Sequence, residues 1–486
     1  MSFNSIEFFL FFPIVTILYF LLPHKVRWAH LLIASCVFYM AFIPKYILIL
    51  LFTVLVDYIA GILIENAGGR RRKMFLSLSI IANVGVLCIF KYYNFFNENI
   101  MALLQAMHIH AHPLPMLNYL LPIGLSFHTF QAMSYTIEVY RGNQKAEKHL
   151  GIYALYVMFY PQLVAGPIER PQNLLHQFRE KHEFVYNNVV DGLKLMLWGL
   201  FKKVVIADNI GNLITPVFHQ PQSFSSVTIL IAVILFPFQL YCDFAGYSDI
   251  AIGAARVMGF KLMRNFNFPF IAQNISELWR RWHISLSTWL SDYLFSPLSI
   301  NLRNWGRWGV VIALNITFFL AGLWHGASWN FVIFGMLNGF ALSYDVLSRK
   351  LKKELSKNIT SFIYIKASIV FTFLYFAICC IFFRVESALD GVFMLKQMPM
   401  ALINIWHFDL NSILTLDGRT TILNFIFIIT LVVVLEYAEY LQRKINLVSY
   451  IQKSPLYLRW GVYYLMIVTI LGFAEAGQQS FIYFQF

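Results

Sequence analysis

The chain has 486 residues, of which 59% are apolar and 13% are charged. Soluble domains average about half apolar and about a quarter charged residues, so this composition excludes an ordinary soluble domain and predicts an integral membrane protein. Lysine and arginine outnumber the acidic residues by 37 to 24, but they occur in short runs between apolar segments. That arrangement is typical of membrane-protein loops, and we expect no nucleic-acid partner.

Apolar runs of near-spanning length follow one another along the whole chain. A helix needs about 20 apolar residues to cross the hydrocarbon core, and shorter runs can be tilted or re-entrant. The runs lie near residues 6–23, 29–43, 46–64, 74–96, 116–137, 150–166, 190–207, 226–258, 308–325, 328–347, 361–383, 421–441 and 459–473. The first lacks a basic leading region and a small-residue cleavage site, so we expect it to be retained. These lengths predict roughly ten or eleven spans in a single membrane-embedded domain, residues 1–486.

Polar segments between the apolar runs predict the topology. The basic runs are expected to mark cytoplasmic loops, because lysine and arginine are enriched on that side of a membrane. They are RRRK at 70–73, KK at 202–203, RKLKK at 349–353, and Arg443 with Lys444. The mixed segment 384–420 predicts an external loop or short interfacial helices.

The sequence predicts neither a metal site nor a disulfide framework. His108, His110 and His112 alternate in MHIHAHPLP and would share one face of an extended segment, which could hold a metal ion. No carboxylate or further ligand lies near them, so a surface loop is the better interpretation. The cysteines lie in apolar stretches without metal-ligand spacing, and they are Cys36, Cys88, Cys242, Cys379 and Cys380. Nucleophile-elbow, dinucleotide-glycine and P-loop motifs are absent from the sequence.

The stretch WRRWHISLS, at 279–287, concentrates polar side chains in an apolar chain. Asn274 and Glu277 form a capping-box signature, and the apolar residues after them recur at spacings of three and four. This pattern predicts a continuous amphipathic helix from Asn274, with His283 at the edge of the apolar face beside the polar face that carries Arg280. Such a helix suits a membrane interface, where arginines reach the headgroups, or an anionic ligand.

A second histidine and two carboxylates lie in the same region of the chain. His325 follows Trp324 in GLWHGASWN, where glycines let the backbone turn or approach a ligand. Its imidazole is either a hydrogen-bonded core group or a buried base. Asp243 and Asp249 in CDFAGYSD could position a histidine, orient a loop or cap a helix at an unwound point, since carboxylates are unusual in apolar runs.

The two histidine motifs together resemble the membrane-bound O-acyltransferase (MBOAT) superfamily. Further segments resemble its bacterial alginate-type and peptidoglycan-type O-acetyltransferases, and they are LPIGLSFHTFQAMSYTIEVYRG (121–142), FYPQLVAGPIERPQNLLHQF (159–178), GLFKKVVIADNI (199–210), YCDFAGYSDIAIG (241–253) and FIYFQF (481–486). Nearly the whole chain is covered. One departure is that FSPLSINLRNWGRWG follows DYL, where many relatives carry a glycine-rich stretch of the GGSRG kind. We therefore expect a differently shaped loop between the histidines.

The resemblance implies an all-α polytopic membrane protein, with a ring of roughly eleven transmembrane helices and further re-entrant or interfacial helices around a central funnel. It implies that His325 is the catalytic histidine and that His283, the second histidine of the family, is a further catalytic candidate. Arg280 and Arg281, or alternatively the basic loops, are candidates to receive the phosphates of coenzyme A, because guanidinium groups suit phosphate oxygens. The remaining candidates for substrate or cofactor binding are Trp282, Trp324 and Asp243.

The implied reaction takes acetyl from cytoplasmic acetyl-CoA across the bacterial inner membrane to an envelope polysaccharide. We favour peptidoglycan over alginate as that acceptor. A separate periplasmic acetyltransferase is the expected protein partner, the lipid bilayer surrounds the chain, and no permanently bound cofactor or metal is expected. Acetyl could pass directly through a tunnel or by way of an acetyl-enzyme intermediate.

Two other classes of function fit the sequence. A transporter or flippase would use intramembrane histidines to relay protons or to line a substrate path, and it would move substrate without acyl transfer. A scaffold would recruit the periplasmic enzyme and carry out no chemistry.

Overall fold

The computed structural model describes residues 1–109, 115–117, 121–404, 406, 422–445, 450, 451, 453–473, 481 and 482. Within these residues the regular secondary structure is entirely helical, without a β-strand. The chain divides into two compact units. The first unit comprises Met1–Met196 and Ser248–Arg264, and the second unit comprises Leu197–Tyr247 and Asn265–Phe486.

The first unit is built from the N-terminal helices. They are α1 (Ile6–Leu21), α2 (His24–Met40), α3 (Ile47–Asn66), α4 (Gly69–Leu87), α5 (Tyr93–Ala106), α6 (Leu125–Arg141), α7 (Leu150–Met158), α8 (Tyr160–Leu163) and α9 (Pro171–Leu174). Aromatic side chains fill part of its core, where Phe38 of α2 packs at 6.3 Å from Phe8 of α1 and at 5.6 Å from Tyr160 of α8. Rings of this size bury a large apolar area and stabilise the packing of α1, α2 and α8.

Asp57 on α3 is fully buried in the first unit. Its carboxylate accepts hydrogen bonds from the Ser79 hydroxyl at 2.5 Å and from the Asn83 amide at 2.9 Å, and both donors lie on α4. Buried polar groups are tolerated when they are hydrogen-bonded. Two neutral donors therefore satisfy the carboxylate and tie α3 to α4.

The second unit contains the remaining helices. α10 (Tyr186–Leu200) and α12 (Ser226–Val257) each belong in part to both units, and a π-helical turn, Phe201–Ala207, joins α10 to α11 (Asp208–His219). The others are α13 (Ile275–Arg281), α14 (Ile284–Leu290), α15 (Ser296–Asn301), α16 (Gly306–His325), α17 (Trp329–Leu347), α18 (Arg349–Asn358), α19 (Ser361–Arg384), α20 (Ala388–Asn404), α21 (Ile422–Lys444) and α22 (Leu456–Phe473). Close packing of α16 on α17 requires glycine at Gly322 and Gly335, since a Cβ at either would lie 2.2 Å from a carbonyl oxygen of the other helix.

Eight helical stretches of the described residues are long and apolar enough to cross a membrane, and they are Pro44–Asn66, Gly69–Ala106, Ser226–Val257, Arg303–His325, Trp329–Leu347, Ser361–Arg384, Leu423–Lys444 and Leu456–Phe473. Helix α1 is apolar but shorter. The fold class that the resemblance implies, an all-α multi-pass membrane protein, is confirmed. The number of roughly eleven spans stays a prediction. Helix α6 begins within the run at 116–137 and α7 begins the run at 150–166, and both helices bury most of their side chains.

The basic runs differ in where they lie. RRRK is in the first turns of α4, RKLKK opens α18, and Arg443 and Lys444 close α21, so these three mark helix ends. The prediction of a loop at KK is wrong, because Lys202 and Lys203 are buried in the π-helical turn. The membrane side on which each run lies stays a prediction.

Two other predicted segments are described only in part. Helix α20 occupies part of the segment 384–420, whereas residues 405 and 407–420 lie outside the described residues, as do His110 and His112. His108 is exposed and has a positive φ of 59°. Among the described residues, no three histidine, cysteine or acidic side chains are grouped so that they could hold a metal ion. All five cysteines are free thiols.

Candidate active site

His283 lies at a break between two short helices of the second unit. Helix α13 ends at Arg281, Trp282 has an extended backbone, and His283 adopts the left-handed conformation, with φ of 42° and ψ of 54°. The prediction of a continuous amphipathic helix is wrong beyond Arg281, although Asn274 does cap α13 by accepting a hydrogen bond from the Glu277 amide at 2.8 Å. The edge position predicted for His283 is also wrong, because its side chain is fully buried.

Hydrogen bonds from the loop before α13 hold this break. The Asn267 amide donates to the Arg281 carbonyl at 2.9 Å, and the Ile284 amide donates to the Asn265 carbonyl at 2.8 Å. The Asn265 side chain also accepts a hydrogen bond from the Ser285 hydroxyl at 2.6 Å. A left-handed residue other than glycine costs of order 1–3 kcal/mol, and it persists where the surroundings fix it as they do here.

His325 is the last residue of α16 and is 5% exposed. The chain continues through Gly326, where a Cβ would lie 2.0 Å from the ring of Phe331. Only glycine leaves room for that ring. The glycine after the histidine is therefore explained by packing at the start of α17.

Trp324 contacts both histidines. Its ring centroid is 5.9 Å from that of His283 and 4.9 Å from that of His325. Phe244 packs edge-on against His283 at 4.6 Å, and Phe383 packs against His325 at 5.1 Å. The two imidazoles thus share one aromatic enclosure with little exposure to solvent, which we call the histidine enclosure. A direct contact of Trp324 with substrate stays a prediction.

The two arginines of WRRWHISLS differ in what they contact. Arg281 forms an ion pair with Glu277 at 2.8 Å and donates to the Asn267 carbonyl at 3.2 Å. Arg280 is exposed. The guanidinium of Arg280 is therefore the more accessible to an anionic ligand, and phosphate binding by either arginine stays a prediction.

Trp282 and Asp243 both make interactions inside the second unit. Trp282 packs edge-on against Phe266 at 5.2 Å and against Phe376 at 5.0 Å. Asp243 forms an ion pair with Lys203 at 2.6 Å. The assignment of either residue to substrate binding stays a prediction.

Sequence reasoning missed three residues that shape the site. Phe244 is an aromatic residue in a chain full of them, so nothing in the sequence marks it as a neighbour of His283. Nothing in the sequence indicates that Asn265 would form the hydrogen bonds that hold the helix break at His283. Lys203 is half of a KK pair, which predicts topology rather than a buried ion pair.

The fold and the site define an all-helical integral membrane protein with two buried histidines in one enclosure. The sequence model of the family described as MBOAT, the membrane-bound O-acyltransferase family, matches residues 74–383, a range that includes both histidines. The chain belongs to this family and is an O-acyltransferase.

Several relatives match most of the chain. It is 36% identical over 386 residues to the probable alginate O-acetylase of Pseudomonas aeruginosa, covering 79% of this chain and 72% of the relative. It is 33% identical over 428 residues to the peptidoglycan O-acetyltransferase of Helicobacter pylori, covering 80% of this chain and 78% of the relative. It is 28% identical to the teichoic acid D-alanyltransferase of Bacillus subtilis, covering 48% of this chain and 60% of the relative. The names of these relatives share acyl transfer and differ in the acceptor.

Proposed function

We propose that this enzyme takes acetyl from acetyl-CoA on the cytoplasmic side of the bacterial inner membrane and passes it outward for O-acetylation of an envelope polysaccharide. The observation that carries the proposal is the histidine enclosure, in which His283 and His325 both contact Trp324. The names of the Pseudomonas and Helicobacter relatives support acetyl as the transferred group and a polysaccharide as the acceptor.

The chemistry needs little beyond what the enclosure offers. A thioester is already activated, so the enzyme must orient it, accept the proton of the acceptor hydroxyl and keep water out. In the proposed step the hydroxyl oxygen attacks the thioester carbonyl carbon, a C–O bond forms and the C–S bond breaks. His325 takes the hydroxyl proton and passes it to the departing sulfur, which leaves an ester and free coenzyme A.

Peptidoglycan is the acceptor that we propose, with alginate as its competitor. Of the three relatives named above, the peptidoglycan O-acetyltransferase is matched over the largest share of its own length, 78%. Because the polysaccharide lies outside the inner membrane, a periplasmic acetyltransferase would take over the acetyl group and complete the transfer.

The test uses purified full-length protein in nanodiscs with acetyl-CoA radiolabelled in the acetyl group, alone and with a candidate periplasmic partner and peptidoglycan fragments. Wild type is compared with His325→Ala, His283→Ala and, as a control, His219→Ala, which changes an exposed histidine at the end of α11. We expect wild type and His219→Ala to release coenzyme A and His325→Ala to release almost none. Label that stays on the protein identifies an acetyl-enzyme intermediate, whereas label found only on the acceptor indicates direct transfer.

A folded wild-type protein that leaves the thioester intact, alone and with a candidate periplasmic partner, would overturn the proposal and favour the transporter. A His325→Ala variant that matches wild type would overturn the mechanism. The acceptor is tested by offering peptidoglycan fragments and alginate oligosaccharides together with the partner. Label on alginate alone would reassign the acceptor.

A further inference from the structure

Lys203 is a buried cation held by two carboxylates in the second unit. Its side chain is 4% exposed, and its ammonium lies 2.7 Å from the Asp208 carboxylate and 2.6 Å from the Asp243 carboxylate. The π-helical turn Phe201–Ala207 carries the lysine, and Asp208 begins α11. Because a buried charge is tolerated only when it is paired, these three side chains hold one another in place.

The other oxygen of Asp243 binds a segment far along the chain. It accepts a hydrogen bond from the backbone amide of Ile482 at 2.8 Å, across 239 residues of sequence. The ring of Phe481, the preceding residue, stacks on Tyr247 at 4.6 Å and lies 5.7 Å from Phe244. One carboxylate thus links the segment 481–482 to α12.

Phe244, the residue after Asp243, connects this link to the histidine enclosure. Its ring packs against His283 at 4.6 Å, with 80° between the ring planes. Asp243 therefore lies one residue away from a wall of the enclosure, and Phe481 contacts the same wall.

We propose that Asp243, held by Lys203, is a positioning residue for acyl transfer, which fixes the segment 481–482 and the Phe244 ring against His283. The inference rests on the proposed function, because acyl transfer is the reaction that this arrangement serves. Both oxygens of Asp243 are engaged by the chain itself. That engagement suits a residue that orients its neighbours rather than one that contacts the reacting atoms.

Asp208 offers a matched control for Asp243. Both carboxylates bind the Lys203 ammonium, at 2.7 and 2.6 Å, whereas it is Asp243 that accepts the amide of Ile482. An asparagine at position 243 has a single acceptor oxygen, so it cannot keep both links. Asp208→Asn changes the ion pair without removing the carboxylate that accepts the amide of Ile482.

The first measurement is steady-state cleavage of acetyl-CoA by the full-length protein in nanodiscs. We expect Asp243→Asn to lower kcat about 10- to 100-fold while KM for acetyl-CoA stays within about threefold of wild type, because misplaced groups lose rate rather than affinity. Asp208→Asn should keep kcat within about threefold of wild type, because Lys203 still has Asp243 as its ion-pair partner. A raised KM with unchanged kcat for Asp243→Asn would overturn the proposal and place the residue in donor binding.

The second measurement follows the segment 481–482 independently of catalysis. Ile482 is 4% exposed, and Ile482→Cys is introduced after Cys36 and Cys88 have been replaced by alanine. We expect a water-soluble maleimide to label this cysteine slowly when Asp243 is intact. With Asp243→Ala, which has no acceptor for the Ile482 amide, labelling should be about tenfold faster, as expected for the loss of one hydrogen bond to a charged group. Equal labelling rates would overturn the claim that Asp243 holds the segment.

Phe481→Ala removes the ring that contacts Phe244 without changing any charge, so it keeps the proposal testable if Asp243→Asn does not fold. We expect Phe481→Ala to lower kcat, as Asp243→Asn does, and a wild-type kcat would contradict the proposed link. If wild type cleaves no acetyl-CoA, the proposed function fails. The labelling rates then still decide whether Asp243 holds the segment.

Discussion

The two units bury a carboxylate in different ways. In the first unit, neutral donors on the next helix, Ser79 and Asn83, satisfy Asp57. In the second unit, a cation and a main-chain amide 239 residues away satisfy Asp243. The neutral hydrogen bonds of Asp57 stabilise the packing of two neighbouring helices. The charged link of Asp243, beside the histidines, instead holds together segments that are far apart in the sequence. The difference predicts that buried polar groups of the first unit govern stability and that those of the second govern catalysis.

The largest expected effect tests the prediction that buried polar groups of the second unit govern catalysis. His325→Asn keeps a polar side chain at the end of α16 but loses the imidazole. We expect kcat for acetyl-CoA cleavage to fall about 100- to 10,000-fold, the range associated with a general base. Single-turnover cleavage measures the rate, and thermal unfolding in detergent checks the fold. Retention of more than about a tenth of the wild-type rate would contradict a proton-transfer role.

A smaller effect is expected when the support of His283 is removed. Asn265→Ala deletes the acceptor of the Ser285 hydroxyl, which helps to fix the left-handed backbone. We expect kcat to fall about tenfold through misplacement of the histidine. Thr288→Val is the control, because it removes a hydrogen bond from Thr288 to the Ile284 carbonyl within α14. Equal kcat values for the two variants would argue against a positioning role for Asn265.

The first unit should respond in stability rather than in rate. Asp57→Ala removes the acceptor that Ser79 and Asn83 share in a buried site. We expect the free energy of unfolding to fall by about 1–3 kcal/mol, the cost of leaving buried donors unsatisfied, while kcat of the folded protein is unchanged. Thermal unfolding and acetyl-CoA cleavage are measured on the same preparation. A lower kcat at an unchanged Tm would contradict the claim that buried polar groups of the first unit govern stability rather than catalysis.

The smallest effect is expected at the exposed arginine of the second unit. Arg280→Ala should raise KM for acetyl-CoA about threefold at low salt with kcat unchanged, because exposed ion pairs contribute about 0–1 kcal/mol. The difference in KM between Arg280→Ala and wild type should become smaller at high ionic strength, where such ion pairs are screened. A KM equal to that of wild type at low salt would show that Arg280 does not bind the donor.

The membrane helices could be predicted closely from the sequence. The apolar runs at 328–347 and 361–383 match α17 (Trp329–Leu347) and α19 (Ser361–Arg384) to within a residue at each end. Length and hydropathy are properties of the segment itself, so no knowledge of its neighbours is needed.

The geometry around the histidines could not be predicted in the same way. The break at His283 depends on Asn265, and the burial of Lys203 depends on Asp243, each a partner from another segment of the chain. Periodicity contains no information about such partners. Only the family resemblance paired His283 with His325, because either motif alone also fits a core histidine.

The π-helical turn Phe201–Ala207 limits how this chain can change over evolution. Such a turn accommodates one residue more than an α-helical turn. Deleting one residue there would close the turn to α geometry and change the directions of the side chains within it, which would separate Lys203 from its carboxylates. Relatives that keep the buried cation should therefore vary in the identity of residues in this turn but not in their number. Deletion of a residue from this turn should be tolerated less often among relatives than any single substitution in it.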